Sequence, residues 1–240
     1  MIGEPTPPFV PRLRSPDAPI VVAIDGPAAS GKSSTAQWVA ERLDFRHVDS
    51  GALYRAATVA ALRAHPRAEE WTENDVLRAA AGISLVADHT GRSVVPRLGG
   101  QPLDEAIRDA AVTQQVSRVA AMPRVRAWVN ALVRDAAAGA SVVVDGRDIG
   151  TVVFPEAELK VFLIADPWER ARRRLIQRLG RAPAETEIAE ETERLVQRDA
   201  RDATQTVQAK DAVLIDTTYL TQEEQVERIV TLVRVLQGRG

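Results

Sequence analysis

The sequence predicts an α/β fold, a parallel sheet with helices on both faces, interrupted by a small antiparallel insert. Three observations predict it. Short apolar, β-branched runs at residues 20–25, 141–145, 159–164 and 213–216 read as buried parallel strands, and helical periodicity fills the intervals between them. The string Gly26-Pro27-Ala28-Ala29-Ser30-Gly31-Lys32-Ser33 lies between the first run and a helical segment, and it fills every fixed position of G-x-x-x-x-G-K-[ST]. Residues 83–88 and 93–98 alternate about a turn at 89–92, a hairpin signal inside the otherwise α/β pattern.

Taken in order, folded sequence starts near Ile20, after a leader of 19 residues that holds six of the fourteen prolines and is expected to be disordered. A helix follows the glycine string over about 33–42, residues 45–49 make a short strand or loop, and 53–63 is an alanine-rich helix stopped by His65-Pro66. A short helix is expected at 73–81, then the hairpin, then a third short strand at 101–103. Two helices are expected at 105–121 and 123–138, the second with Pro123 in its first turn. After the strand at 159–164 come an arginine-rich helix at 167–179, a further helix at 185–198, the last strand and a closing helix at 223–237. The whole is expected to be one domain over 20–240.

Composition excludes several functions. The chain of 240 residues has no cysteine, so disulfides, thiolate metal sites and cysteine nucleophiles are ruled out. Its three histidines, His47, His65 and His89, lack metal-ligand spacing. A net charge of −2 argues against nucleic acid as a partner, and no apolar run approaches the roughly 20 residues of a membrane helix. A cytoplasmic monomer is expected.

The glycine string implies nucleotide binding. Strand, loop and helix N-terminus together point bare N–H groups at an anion. Gly26 to Ser33, with Ser34, would cradle the phosphates of ATP, Lys32 would reach the outer ones, and the Ser33 hydroxyl would help hold Mg2+. Asp145 ends a buried strand, either as part of the magnesium shell, directly or through water, or as an ordinary strand-ending acid.

Other strings admit two readings each. In Asp145-Gly146-Arg147-Asp148, Arg147 clamps a phosphate and Asp148 accepts from an amino group, or the string is a salt-bridged surface turn. In residues 49–55, Arg55 forms a bidentate phosphate pair beside Tyr54, or Ser50 merely caps a helix whose Arg55 is exposed. Arg170, Arg174 and Arg178 share a helix face at i, i+4, i+8, either as a solvated stripe or as a mobile lid bearing arginines for the transferring phosphoryl group, with the arginine that acts left open. Residues 198–202 are, by composition, an alternating ionic stretch.

Together these strings resemble the bacterial cytidylate kinases, of the nucleoside monophosphate kinase group of P-loop enzymes. The resemblance rests on residues 24–33, on 49–55, on Ser117 to Arg126, on Asp145 to Pro155, on Arg198-Asp199-Ala200-Arg201-Asp202 and on Asp216-Thr217-Thr218. It implies ATP-dependent phosphorylation of CMP and dCMP with Mg2+, a CMP-binding lobe over about 50–121 that contains the antiparallel insert at about 83–103, and a lid at about 167–184. It further implies that Ser117, Arg126 and Asp148 face cytosine, that Arg55 and Arg147 hold the CMP phosphate near Ser50 and Tyr54, and that Arg198 and Asp202 bind the sugar. Lys32, Arg147, Arg170 and Arg174 would be the catalytic set. One departure stands out: Gln205 occupies the place of a family arginine, and the turn after it is shortened, with Arg201 or Lys210 as the available replacements. A kinase for UMP or another small acceptor, or a nucleotide-dependent switch, are the competing readings.

Overall fold

A computed structural model describes residues 18–238. Residues 1–17 of the expected leader lie outside them. In chain order the strands are β1 (Val21–Asp25), β2 (Arg46–Asp49), β3 (Ile83–Ala87), β4 (Ser93–Leu98), β5 (Gln101–Pro102), β6 (Val142–Gly146), β7 (Leu159–Ile164) and β8 (Val213–Asp216). The helices are α1 (Lys32–Leu43), α2 (Ser50–Ala64), α3 (Glu73–Ala80), α4 (Ala110–Ala120), α5 (Pro123–Ala137), α6 (Pro167–Leu179), α7 (Glu185–Asp202) and α8 (Gln222–Leu236). They form two compact units, one made of the described residues before Arg46 and after Gly139, the other of Arg46–Gly139.

In the first unit the strands run parallel in the order β6-β1-β7-β8. Val142, Val143 and Val144 are fully buried, which is why β6 reads as an unbroken apolar run rather than an alternating one. Alternation still sorts the faces of β7. Val161 and Leu163 join Val22, Ile24, Val39 and Ile229 in the core beneath α1 and α8, while Phe162 points the other way onto Ala209 and Ala212. A third cluster packs Ala171 and Leu175 of α6 and Ile188 and Leu195 of α7 against Ala28. Asp166 caps α6 by accepting the Trp168 and Glu169 amides, with Pro167 at its first position, and Thr221 with Glu224 makes a capping box on α8.

In the second unit α2 is the centre. Ala56 and Val59 pack on Leu103 and Val112, with Ile83 and Leu98 of the hairpin at the edge. The hairpin itself is antiparallel, Ile83 opposite Leu98 and Ala87 opposite Val94, and Asp88 closes its turn by accepting the amides of Thr90, Arg92 and Ser93. The strand at 101–103 is shorter than expected and pairs with β4. The insert is also not self-contained: β4 pairs in parallel with β2, His47 opposite Ser93, a pairing the alternation pattern gives no hint of.

The expected helix at 105–121 is two elements. A single 3-10 turn, Ala106–Arg108, ends where Asp109 takes ψ 149°, and α4 starts at Ala110. The Ile107 carbonyl, which a continuous helix would give to the amide four residues on, instead accepts from Arg55 Nη1 at 2.9 Å. A five-residue π-turn at Ile149–Val153 is likewise absent from the sequence reading.

Candidate active site

Burial and backbone geometry shape the loop after β1. Gly26 has φ 152°, and a Cβ there would lie 2.3 Å from the Leu163 carbonyl oxygen, so only glycine lets the loop pass this close to β7. Gly31 has φ 87° at the N-cap of α1. Ala29 also lies in the left-handed region, at φ 58°, which costs a residue with a Cβ on the order of 1–2 kcal/mol. Lys32 is buried and donates from Nζ to the Pro27 carbonyl at 3.0 Å, folding its side chain back over the loop. The buried Ser30 hydroxyl oxygen has no hydrogen-bond partner among the described residues, an orphan that a phosphate oxygen would satisfy. Ser33 Oγ donates to Asp145 Oδ2 at 2.5 Å.

That last contact is the fit for magnesium. No group of three or more acidic or histidine side chains among the described residues forms a metal cage. A hydroxyl with one carboxylate is nevertheless the protein share that Mg2+ takes when phosphates and water complete its octahedron.

Beyond Asp145, β6 runs into Arg147 and Asp148. Asp202, at the end of α7, is buried and takes Arg147 Nε at 3.6 Å and Arg198 Nε at 3.7 Å on the same oxygen, Oδ2. Its Oδ1 has no hydrogen-bond partner among the described residues, so a hydroxyl donor would find an acceptor there. The ionic stretch at 198–202 is thus tied to the Asp145–Asp148 string. Gln205 follows in a turn whose amide bonds the Asp202 carbonyl at 2.9 Å, and both Arg201 and Lys210 are exposed.

Asp148 is itself buried, and the chain after it is fixed by a residue the sequence reading passed over. Asp25, the last residue of β1, accepts the Ile149 and Gly150 amides, both at 2.8 Å. Burial, with a further push from Asp148, raises the Asp25 carboxyl from 3.8 to about 6, although the two amides and Lys32 pull it down. The folded chain therefore binds more protons here than the unfolded chain between about pH 4 and 6. Stability falls as pH rises through that window, and the full cost, about 3 kcal/mol, is carried above it. Asp25→Asn removes the titrating group but sets an NH2 donor against one of the two amides, so it is expected to lower the thermal midpoint at pH 5 and to narrow the gap between pH 8 and pH 5. A gap as wide as that of the wild type would show that Asp25 is not the group that sets it.

The arginine stripe faces α7. Arg174 Nε lies 3.0 Å from Glu191 Oε1, and Arg178 reaches Glu191 Oε2 at 3.6 Å. Glu191 is 3% exposed and gathers these two with Arg194. Arg170, expected to meet the transferring phosphoryl group, lies deeper than Arg174. Its guanidinium is buried, donating to the carbonyls of Ala28 and Ala165 and pairing with Asp199.

The second unit brings the remaining candidates onto three helices. Asp49, not Ser50, caps α2, accepting the Ala52 amide at 3.0 Å. Ser50, Tyr54 and Ser117 are buried. Arg126, on α5, stacks 6.0 Å from the centroid of the Tyr54 ring and donates to the Ala120 carbonyl at 3.0 Å. Arg55 is held by the Ile107 carbonyl and, at 3.2 Å, by Thr113 Oγ1. Two cations and an aromatic ring on α2 and α5, with a buried hydroxyl on α4, are the equipment for an anion attached to a planar base.

Comparison with known proteins decides the family. The family model described as cytidylate kinase matches residues 22–235. The chain belongs to the cytidylate kinase family. Among its relatives named cytidylate kinase, that of Chlorobaculum tepidum is 41% identical over 90% of this chain and 93% of its own, and that of Limosilactobacillus fermentum is 39% identical over 88% and 93%. A third, from Carboxydothermus hydrogenoformans, is 39% identical over 88% and 96%. The chain is a kinase of the P-loop type. No helix among the described residues is long and apolar enough to cross a membrane.

Proposed function

We propose that this kinase moves the γ-phosphoryl group of ATP onto the phosphate of CMP or dCMP, giving ADP and CDP or dCDP, as a cytoplasmic monomer in pyrimidine nucleotide metabolism. The observation that carries the reading is the Asp145–Asp148 string. Its first residue bonds Ser33 of the donor loop, and its third pairs with Asp202, so one short turn serves both a triphosphate and a second ligand.

On this reading the amides of Gly26 to Ser34 and the α1 N-terminus bind the β- and γ-phosphates, and Lys32 swings from Pro27 onto them. Ser33 and Asp145 would hold Mg2+, which would supply charge neutralisation on those phosphates. Arg55 and Arg147 hold the CMP phosphate so that one oxygen lies in line with the γ-phosphorus, with Ser50 and Tyr54 beside it. Asp148 accepts the exocyclic amino group of cytosine, with Ser117 and Arg126 at the remaining edge, while Arg198 and Asp202 bind the sugar hydroxyls. Arg174 leaves Glu191 for the transferring group as the lid at 167–184 closes, and the CMP lobe at about 50–121 completes the acceptor side. Closure keeps water from the γ-phosphorus, which suppresses hydrolysis.

The reaction is tested by 31P spectroscopy of the protein with ATP, Mg2+ and CMP. Equal amounts of ADP and CDP are expected, with no inorganic phosphate released when CMP is left out. Phosphate release indifferent to CMP would overturn the reading in favour of a nucleotide-dependent switch.

A further inference from the structure

One residue of the donor loop has both of its backbone polar groups captured by side chains from distant parts of the sequence. The Ala28 amide donates to Asp199 Oδ1 at 3.1 Å, and the Ala28 carbonyl accepts from Arg170 Nη1 at 2.7 Å. The two side chains also bond each other, Arg170 Nη1 to Asp199 Oδ2 at 2.6 Å, and Arg170 Nε is anchored on the Ala165 carbonyl at 3.1 Å. Arg170 comes from the first turn of α6 and Asp199 from the last turns of α7, so the loop is fixed by the two ends of one helical hairpin. Arg170 is 4% exposed, and its neighbours Ala171 and Leu175 pack on Ala28 itself.

The next residue explains why such a clamp would be built. Ala29 sits at φ 58°, and a strained conformation of this kind persists only where its surroundings over-determine it. We propose that Arg170 and Asp199 are positioning residues of the donor loop, which hold the Ala28 peptide groups and thereby keep the strained Ala29 turn in its nucleotide-binding shape before ATP arrives. The inference rests on the reading of residues 26–34 as the ATP site and assigns Arg170 a place behind the phosphates. Arg174, at the more exposed part of the stripe, is left to meet them.

The test is calorimetric titration of Mg-ATP, and separately of CMP, into the wild type, Asp199→Asn, Ala29→Gly and the double variant. Asp199→Asn loses a charge-assisted bond and is expected to weaken ATP about tenfold while leaving CMP affinity unchanged. Glycine adopts φ 58° without strain, so Ala29→Gly is expected to restore much of that loss in the Asp199→Asn background. An Asp199→Asn protein that binds ATP like the wild type, that loses CMP equally, or that gains nothing from Ala29→Gly overturns the clamp. Arg170→Lys, which keeps the charge but not the fork of donors, is expected to show the same ATP-selective and Ala29→Gly-relieved loss, and it serves if Asp199→Asn does not fold. A wild type that fails to bind ATP overturns the reading of the loop, and the clamp with it.

Discussion

Replacing Lys32 with methionine is expected to lower kcat at least about 10³-fold, because a single fixed cation on a transferring phosphoryl group contributes on that scale. The geometry makes the loss specific. Methionine keeps the buried stem, so what disappears is the ammonium that now rests on the Pro27 carbonyl, 3.0 Å away. The same charge also lowers the Asp25 pKa, so its removal pushes the Asp25 carboxyl still higher. The variant should therefore stay folded, bind CMP as before, and lose stability on going from pH 5 to pH 8 more steeply than the wild type. Single-turnover kinetics with saturating ATP and CMP check the rate. A kcat within tenfold of wild type would mean that Lys32 does not touch the transferring group.

The second large effect belongs to Asp148. Asp148→Ala is expected to cut kcat/KM for CMP about 10³-fold with little change in the KM for ATP. A buried site built to hydrogen-bond a polar edge discriminates far more strongly than an apolar one. Asp148→Asn separates charge from shape. Its amide both donates and accepts, so the preference for CMP over UMP should collapse while some turnover with each survives. Loss of the Asp148 charge also removes one push on the Asp25 carboxyl, so both variants should lose less stability than the wild type on going from pH 5 to pH 8. Equal losses towards ATP and CMP in Asp148→Ala would contradict its assignment to the base.

What was legible in the sequence was whatever local physics decides. The glycine string is forced by backbone geometry at Gly26 and Gly31, and the unbroken valines of β6 by burial on both faces, so both show in the residues themselves. The caps Asp166 and Thr221 act within a turn of their own position and mark where α6 and α8 begin. What stayed hidden depends on partners far along the chain. The break before α4 needs Arg55, 52 residues away from Ile107. Asp25 looks like any strand-ending acid until the π-turn at 149–153 delivers two amides to it, more than 120 residues on. Composition reduced Asp199 to one charge in an alternating stretch, and the arginine stripe was read correctly as one face but without the carboxylates of α7 that occupy it. Helical spacing tells which residues share a face, not what meets that face.

Acceptor choice is the central claim, and one measurement bears on it directly: ADP release from Mg-ATP with CMP, dCMP, UMP, AMP and GMP, each taken to kcat/KM. CMP and dCMP are expected to exceed the other three by orders of magnitude, since only cytosine offers an amino group to the buried Asp148 without demanding a purine-sized site. UMP or AMP turned over as fast as CMP would contradict the account.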